Sequence, residues 1–163
     1  MTDLNALQAH FGKYLRAVIL EAGLVDALKA SDPTVTTFAG ASADAIAALE
    51  AAPPFAQSGR RLPRAYREYL EELGEAPGPL FSPGTRARIG ELAALQGGPA
   101  VPADAFVFLA TPGGAFEYFQ LDGGDDPQVF RHEPHRPEPL RLGSLSDSLV
   151  SRVWERLETL GGR

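Results

Sequence analysis

Two histidines and a glutamate fall within the four-residue run His132-Glu133-Pro134-His135, the one place in the chain where imidazole and carboxylate cluster. Such a set could hold a transition metal if both rings reached one side of a helix. The neighbouring prolines break that helix, and His10 is the only other imidazole, so the run reads as a solvated loop and no metal site is expected. Asp122, Asp125 and Asp126 flank Gly123-Gly124 and have some likeness to an oxygen-rich calcium loop. The alternating Asp/Asn spacing and closing Glu of that loop are missing. A turn that uses Asp and Gly for their backbone tolerance accounts for the pattern more simply. With Glu117, these three aspartates would concentrate negative charge at one end of a sheet, and Glu117, Asp122, Asp125 and Asp126 are the candidate partner-facing residues.

No other chemistry is legible. The chain has no cysteine, which excludes disulfides, thiolate zinc sites and thiol nucleophiles. It also lacks G-x-S-x-G, a Walker loop and a G-x-G-x-x-G after a strand. Glu71-Glu72 reads as a solvated pair on the outer side of a helix. The sequence offers no enzyme signature, and no cofactor is expected.

The elements that must position these residues follow from periodicity. Leu4, Leu7, Phe11, Leu15, Val18 and Ile19 recur at spacings of three and four, as an amphipathic helix requires, with Gly23 or Pro33 ending it. Residues 31–42 read as a loop, and Ser42 as the cap of a short helix through Ala51. The segment from Arg61 to Gly74 gives the clearest helix. Pro63 suits its first position, Tyr66, Tyr69, Leu70 and Leu73 share one side, and Gly74 is a stop. A weaker helix is expected over Thr85–Leu95, with Ile89, Leu92 and Leu95 inward. From Ala105 the period becomes two: Phe106–Ala110, a turn at Thr111–Gly114, Phe116–Leu121, a second turn, and Pro127–Arg131 as a third strand. A short strand at Leu140–Leu142 precedes a final helix capped from Ser144, with Leu145, Leu149, Val153, Trp154 and Leu157 inward. Tyr66, Tyr69, Phe106, Phe108, Phe116 and Trp154 are assigned to the core. Helices, a strand meander and a closing helix make an α+β domain with helices packed on an antiparallel sheet.

The whole chain has 163 residues, 44% hydrophobic and 22% charged, which suits one domain with a full core. Two parts are distinguished within it. Residues 1–42 carry the first helix and a loop, expected to pack on the domain, although the helix could instead detach to recruit a partner. Residues 43–160 form the α+β domain. Fifteen basic residues against twenty-one acidic give a formal charge of −6, which argues against direct nucleic-acid binding and favours a cationic partner. The first ten residues lack the pattern of a signal peptide, and no apolar run approaches the length of a membrane span. A soluble, cytoplasmic protein is expected.

Over Ala43 to Leu157 the order of motifs resembles the SUKH superfamily, in particular its Smi/Knr-like branch. Leu62-Pro63-Arg-Ala-Tyr66-Arg-Glu-Tyr69-Leu70 looks like the Leu-Pro helix start of that family. The strands Phe106–Ala110 and Phe116–Leu121 around Gly113-Gly114 look like its paired strands, and Pro127–Phe130 with the Leu145, Leu149, Trp154 helix looks like its closing part. The resemblance implies a non-catalytic α+β domain that binds another protein. In bacteria that role is commonly an immunity protein neutralising a cognate toxin, here a protein toxin that could be a nuclease, met by the acidic end of the sheet. The alternatives are an intracellular regulator or scaffold of the same fold, and a small metal-dependent enzyme built on His132, Glu133 and His135.

Overall fold

A computed structural model of the chain describes residues 4–23, 26, 39–52, 54–77, 80–81, 84–121 and 124–162. The loop expected over 31–42 lies outside them as far as residue 38, as do the side chains of Leu4 and Leu7. The helices are α1 (Leu4–Glu21), α2 (Ala43–Glu50), α3 (Phe55–Ser58), α4 (Arg64–Leu73) and, after the strands, α5 (Leu145–Gly162), with a 3-10 helix over Ile89–Leu95. The strands β1 (Ala105–Ala110), β2 (Phe116–Gln120), β3 (Gln128–His132) and β4 (Leu140–Ser144) pair in sequence order, every neighbour antiparallel. This is the expected α+β class. Among the described residues no helix is long and apolar enough to cross a membrane.

Local chemistry sets the ends of the elements. The Ser42 hydroxyl accepts the Ala45 N–H at 3.1 Å, supplying a partner to an amide that the first turn of α2 cannot satisfy. Pro63 stands one position earlier than expected, as the residue before α4, with extended backbone (φ −56°, ψ 144°). Gly74 stays right-handed and hands its N–H to the Leu70 carbonyl. The weaker helix is tighter and shorter than expected, a single 3-10 segment, yet Ile89, Leu92 and Leu95 are its buried residues. Beyond it, Gln96 takes the place of a missing strand at the outer edge of β1. Its side-chain amide donates to the Val107 carbonyl at 2.7 Å and its carbonyl accepts the Val107 N–H at 3.0 Å. Further along that edge, Arg86 and Ala110 exchange both backbone hydrogen bonds. An edge closed in this way offers no template for another chain.

An aromatic cluster joins the helices to the sheet. Tyr66 of α4 meets Phe119 at 5.4 Å, Phe106 at 5.6 Å and Phe108 at 6.0 Å between ring centroids, and stacks on Tyr69 at 5.7 Å. Phe55 of α3 closes on Phe106 at 5.0 Å. Each such ring removed from water contributes about 1.5–3 kcal/mol, and tilted ring pairs add to that. Two core assignments change. Trp154 is 54% exposed, because Leu145, Leu149 and Val153 already fill the buried stripe of α5 and the next residue is turned about 100° away from it. Phe116 is only half-buried and lies against His132 at 4.7 Å.

Helix α1 packs on α4 and α5 through Phe11, Leu15 and Ile19, all fully buried. The approach is closest at Gly12, where an added Cβ would stand 1.9 Å from the Glu68 carbonyl oxygen. Glu68 also accepts the Phe11 N–H at 2.6 Å. Elsewhere, Glu50 at the end of α2 takes the Leu62 N–H at 3.1 Å and pairs with Arg67 of α4. Burial would raise the Glu50 carboxyl, but Arg67, the Leu62 amide and Arg61 together outweigh it and hold it below its ordinary value.

Two outcomes are expected. In an exposed helix Gly12→Ala would gain about 1 kcal/mol from propensity, but here the clash with α4 dominates and the variant loses about 1–3 kcal/mol in urea unfolding; a gain would mean α1 is not docked. Because the folded Glu50 value lies below the unfolded one, its contribution is complete above the unfolded carboxyl range and disappears as pH falls through the folded value. Melting of Glu50→Gln against the parent should therefore show a deficit near neutrality that closes in acid.

Candidate functional site

Alternation along β2 decides where its carboxylate goes. Phe119 reaches Tyr66 in the helix layer, whereas Tyr118 turns to Phe116 and Phe130 on the other side. Glu117, two residues from Phe119, shares the helix side and is 1% exposed. Its place on a partner-facing surface is thus corrected. The carboxylate is enclosed because two guanidiniums arrive to meet it. Arg131 stands directly opposite in the β2–β3 ladder and donates to Glu117 Oε2 at 2.9 Å. Arg152 of α5 donates to Oε1 at 2.5 Å. Arg131 also donates to the Thr111 hydroxyl at 3.3 Å and lies 3.6 Å from Glu133. The Arg152 guanidinium sits over the Phe81 ring at 5.3 Å, and its Nε is buried without a hydrogen-bond partner among the described residues. Farther in, burial pushes the Tyr69 phenol well above its ordinary range, partly offset by the charge of Arg152.

The acidic turn after β2 has a structural duty that the sequence did not reveal. The backbone carbonyl of Asp125 accepts the Ala65 N–H at 2.9 Å, at the first turn of α4. The Asp126 carboxylate takes the Ser146 N–H at 2.9 Å and the Ser146 hydroxyl at 2.5 Å, at the first turn of α5. One turn thereby meets the amino-terminal ends of two helices, where unpaired amides and the helix dipole favour negative charge. Ser144 adds a bond from the Asp147 N–H at 3.2 Å. Asp122 lies outside the described residues. Of the four candidates, Glu117 is interior, Asp126 is engaged although its residue is exposed, and Asp125 keeps its side chain on an exposed residue.

The histidines do not converge. His132 stacks on Phe116, Glu133 pairs with Arg131, and His135 is exposed. Among the described residues no group of three or more His, Asp or Glu side chains is placed to hold a metal ion. A polar pocket of about 340 Å³ lies beside the Glu117 cluster, lined also by Thr85, Ser148, Ser151 and Glu155. Both Glu117 oxygens already accept from guanidinium groups, so the carboxylate is held in place by the fold. The sequence signal for this cluster was present but ambiguous. Arg131 and Arg152 were readable as charged residues, but only strand register and helix docking bring them to Glu117.

Removing the charge while keeping the shape leaves two enclosed guanidiniums without their counter-ion. Glu117→Gln should cost about 3–5 kcal/mol in urea unfolding. A loss within the range of an exposed ion pair, below about 1 kcal/mol, would place Glu117 in water.

No protein-family model, characterised protein or solved structure matches this chain.

Proposed function

We propose that the domain acts in the cytoplasm by binding another protein, without catalysis, and that its partner is a toxin which it neutralises. The observation that supports this most is that the three segments of the SUKH-like motif order meet in one core. Tyr66 of the Leu-Pro helix packs on Phe106, Phe108 and Phe119 of the paired strands, and Leu145 and Leu149 of the closing helix are fully buried in the same cluster. The formal charge of −6 suits a basic partner, since opposite charge accelerates encounter. The contact surface proposed is the acidic turn, narrowed to Asp125 with Asp122 and the outward part of Asp126. Glu117 takes no part in it.

The test is recovery of the tagged chain from its host with whatever protein accompanies it at equal stoichiometry. The expected companion is inhibited on adding the purified chain. Asp125→Lys, alone and with Asp122→Lys, weakens that inhibition by about tenfold or more, the scale of a close interfacial charge pair, with unfolding unchanged. A companion whose activity the chain does not inhibit would replace the toxin by a regulatory or scaffold role. Inhibition indifferent to both reversals would move the contact off the acidic turn.

A further inference from the structure

A broad hollow in the surface lies away from the acidic turn, between the tip of the β1–β2 hairpin and the chain leaving the 3-10 helix. It measures about 630 Å³, within the range of sites for small organic molecules. Its origin is compositional, because most of the residues lining it are glycine, alanine or proline. Gly113 (φ 98°) and Gly114 (φ 94°) turn the hairpin through left-handed backbone that side-chain-bearing residues adopt only under strain. Its walls are braced against one another. An added Cβ at Gly84 would stand 2.9 Å from Pro112, and one at Gly114 would stand 3.2 Å from Pro134. The hollow is therefore formed before any ligand arrives.

Its chemistry is one-sided. Leu95, Val101, Val107 and Phe116 supply apolar surface, and the lining residues that can carry charge are Arg86 and His132. Among the described residues no carboxylate lines it, although the chain holds twenty-one acidic residues against fifteen basic. Arg86 is exposed, makes no ion pair among the described residues, and has its backbone fixed by the paired bonds to Ala110 at 2.8 and 3.0 Å. The His132 ring is held by stacking on Phe116.

We propose that this pocket binds a small organic anion with an apolar body, a medium-chain or aromatic carboxylate, its charge at Arg86 and His132 and its body against Val107, Leu95 and Phe116. The site is separate from the acidic turn, so it stands or falls independently of the toxin reading. Amide NMR spectra of the full chain titrated with octanoate, and separately with octan-1-ol, test it. Octanoate is expected to give saturable shifts at Val101, Gly113, Gly114 and His132 and to bind more tightly than the alcohol. Arg86→Gln should weaken octanoate about tenfold, the scale of one hydrogen bond to a charged group, and leave octan-1-ol unchanged. Ala94→Phe, which fills the hollow from an exposed helix position, should abolish binding of both. Shifts that are scattered or fail to saturate, an alcohol bound as tightly as the carboxylate, or an Arg86→Gln variant with undiminished octanoate affinity would each overturn the proposal.

Discussion

An ionised carboxylate cannot stand alone in a protein interior, and the enclosure of Glu117 fixes much of the rest of the molecule. Once Phe119 turns into the helix layer, strand alternation carries Glu117 in with it. Two guanidiniums must then reach it from different elements. Arg131 does so only if β3 pairs with β2 in the register that sets it opposite Glu117, and a slip of one residue would turn it to the other side of the sheet. Arg152 does so only if α5 docks on the sheet within reach of β2. The ion cluster thus specifies register and helix placement together. An apolar pair of similar volume could give equal or greater stability but would not discriminate the register so strictly.

The acidic turn acts in concert with this cluster. By holding the first turns of α4 and α5, Asp125 and Asp126 set the two helices that carry Tyr66 and Arg152. Charge that looked like surface decoration in the sequence is therefore partly internal support. The same economy has an exception at Tyr66, whose hydroxyl, like the Arg152 Nε, is buried with no hydrogen-bond partner among the described residues. Burial, and then the neighbouring Tyr69, pushes its phenol well above the ordinary range. The ring packing against Phe106, Phe108 and Phe119 holds it there against the cost of the unpaired hydroxyl, about 1–3 kcal/mol.

Most elements were legible because local and global signals agree. Ser42 before a short apolar run, Pro63 at a helix entrance and Thr111-Pro-Gly-Gly114 between alternating strands each act on the chain beside them, and each marks the end of an element, Pro63 one position before its expected place. What was not legible depends on neighbours distant in sequence. Glu117 has the same two-residue period whether it faces water or the interior, so only Arg152, thirty-five positions away, resolves it. Trp154 has enough hydrophobicity to be assigned inward, but a helix on one side of a sheet buries a stripe, and Val153 occupies that stripe instead. Gly12 gave no signal, since the need for a missing Cβ arises only when α4 crosses at that point. The pocket at the hairpin tip was equally silent, because small residues spread over separate segments look like turn punctuation until the fold gathers them.

These constraints separate Glu117, an interior support near the β1–β2 hairpin end of the sheet, from the acidic turn at its other end, whose outer surface the functional reading depends on. The most direct test is side-chain nitrogen NMR of the intact protein, reading the guanidinium groups of Arg131 and Arg152. Slow rotation about the guanidinium bonds and protons protected from exchange are the expected result, as for donors fixed on an enclosed carboxylate. Guanidinium signals averaged as rapidly as those of an exposed residue such as Arg141 would contradict the account and return Glu117 to the surface.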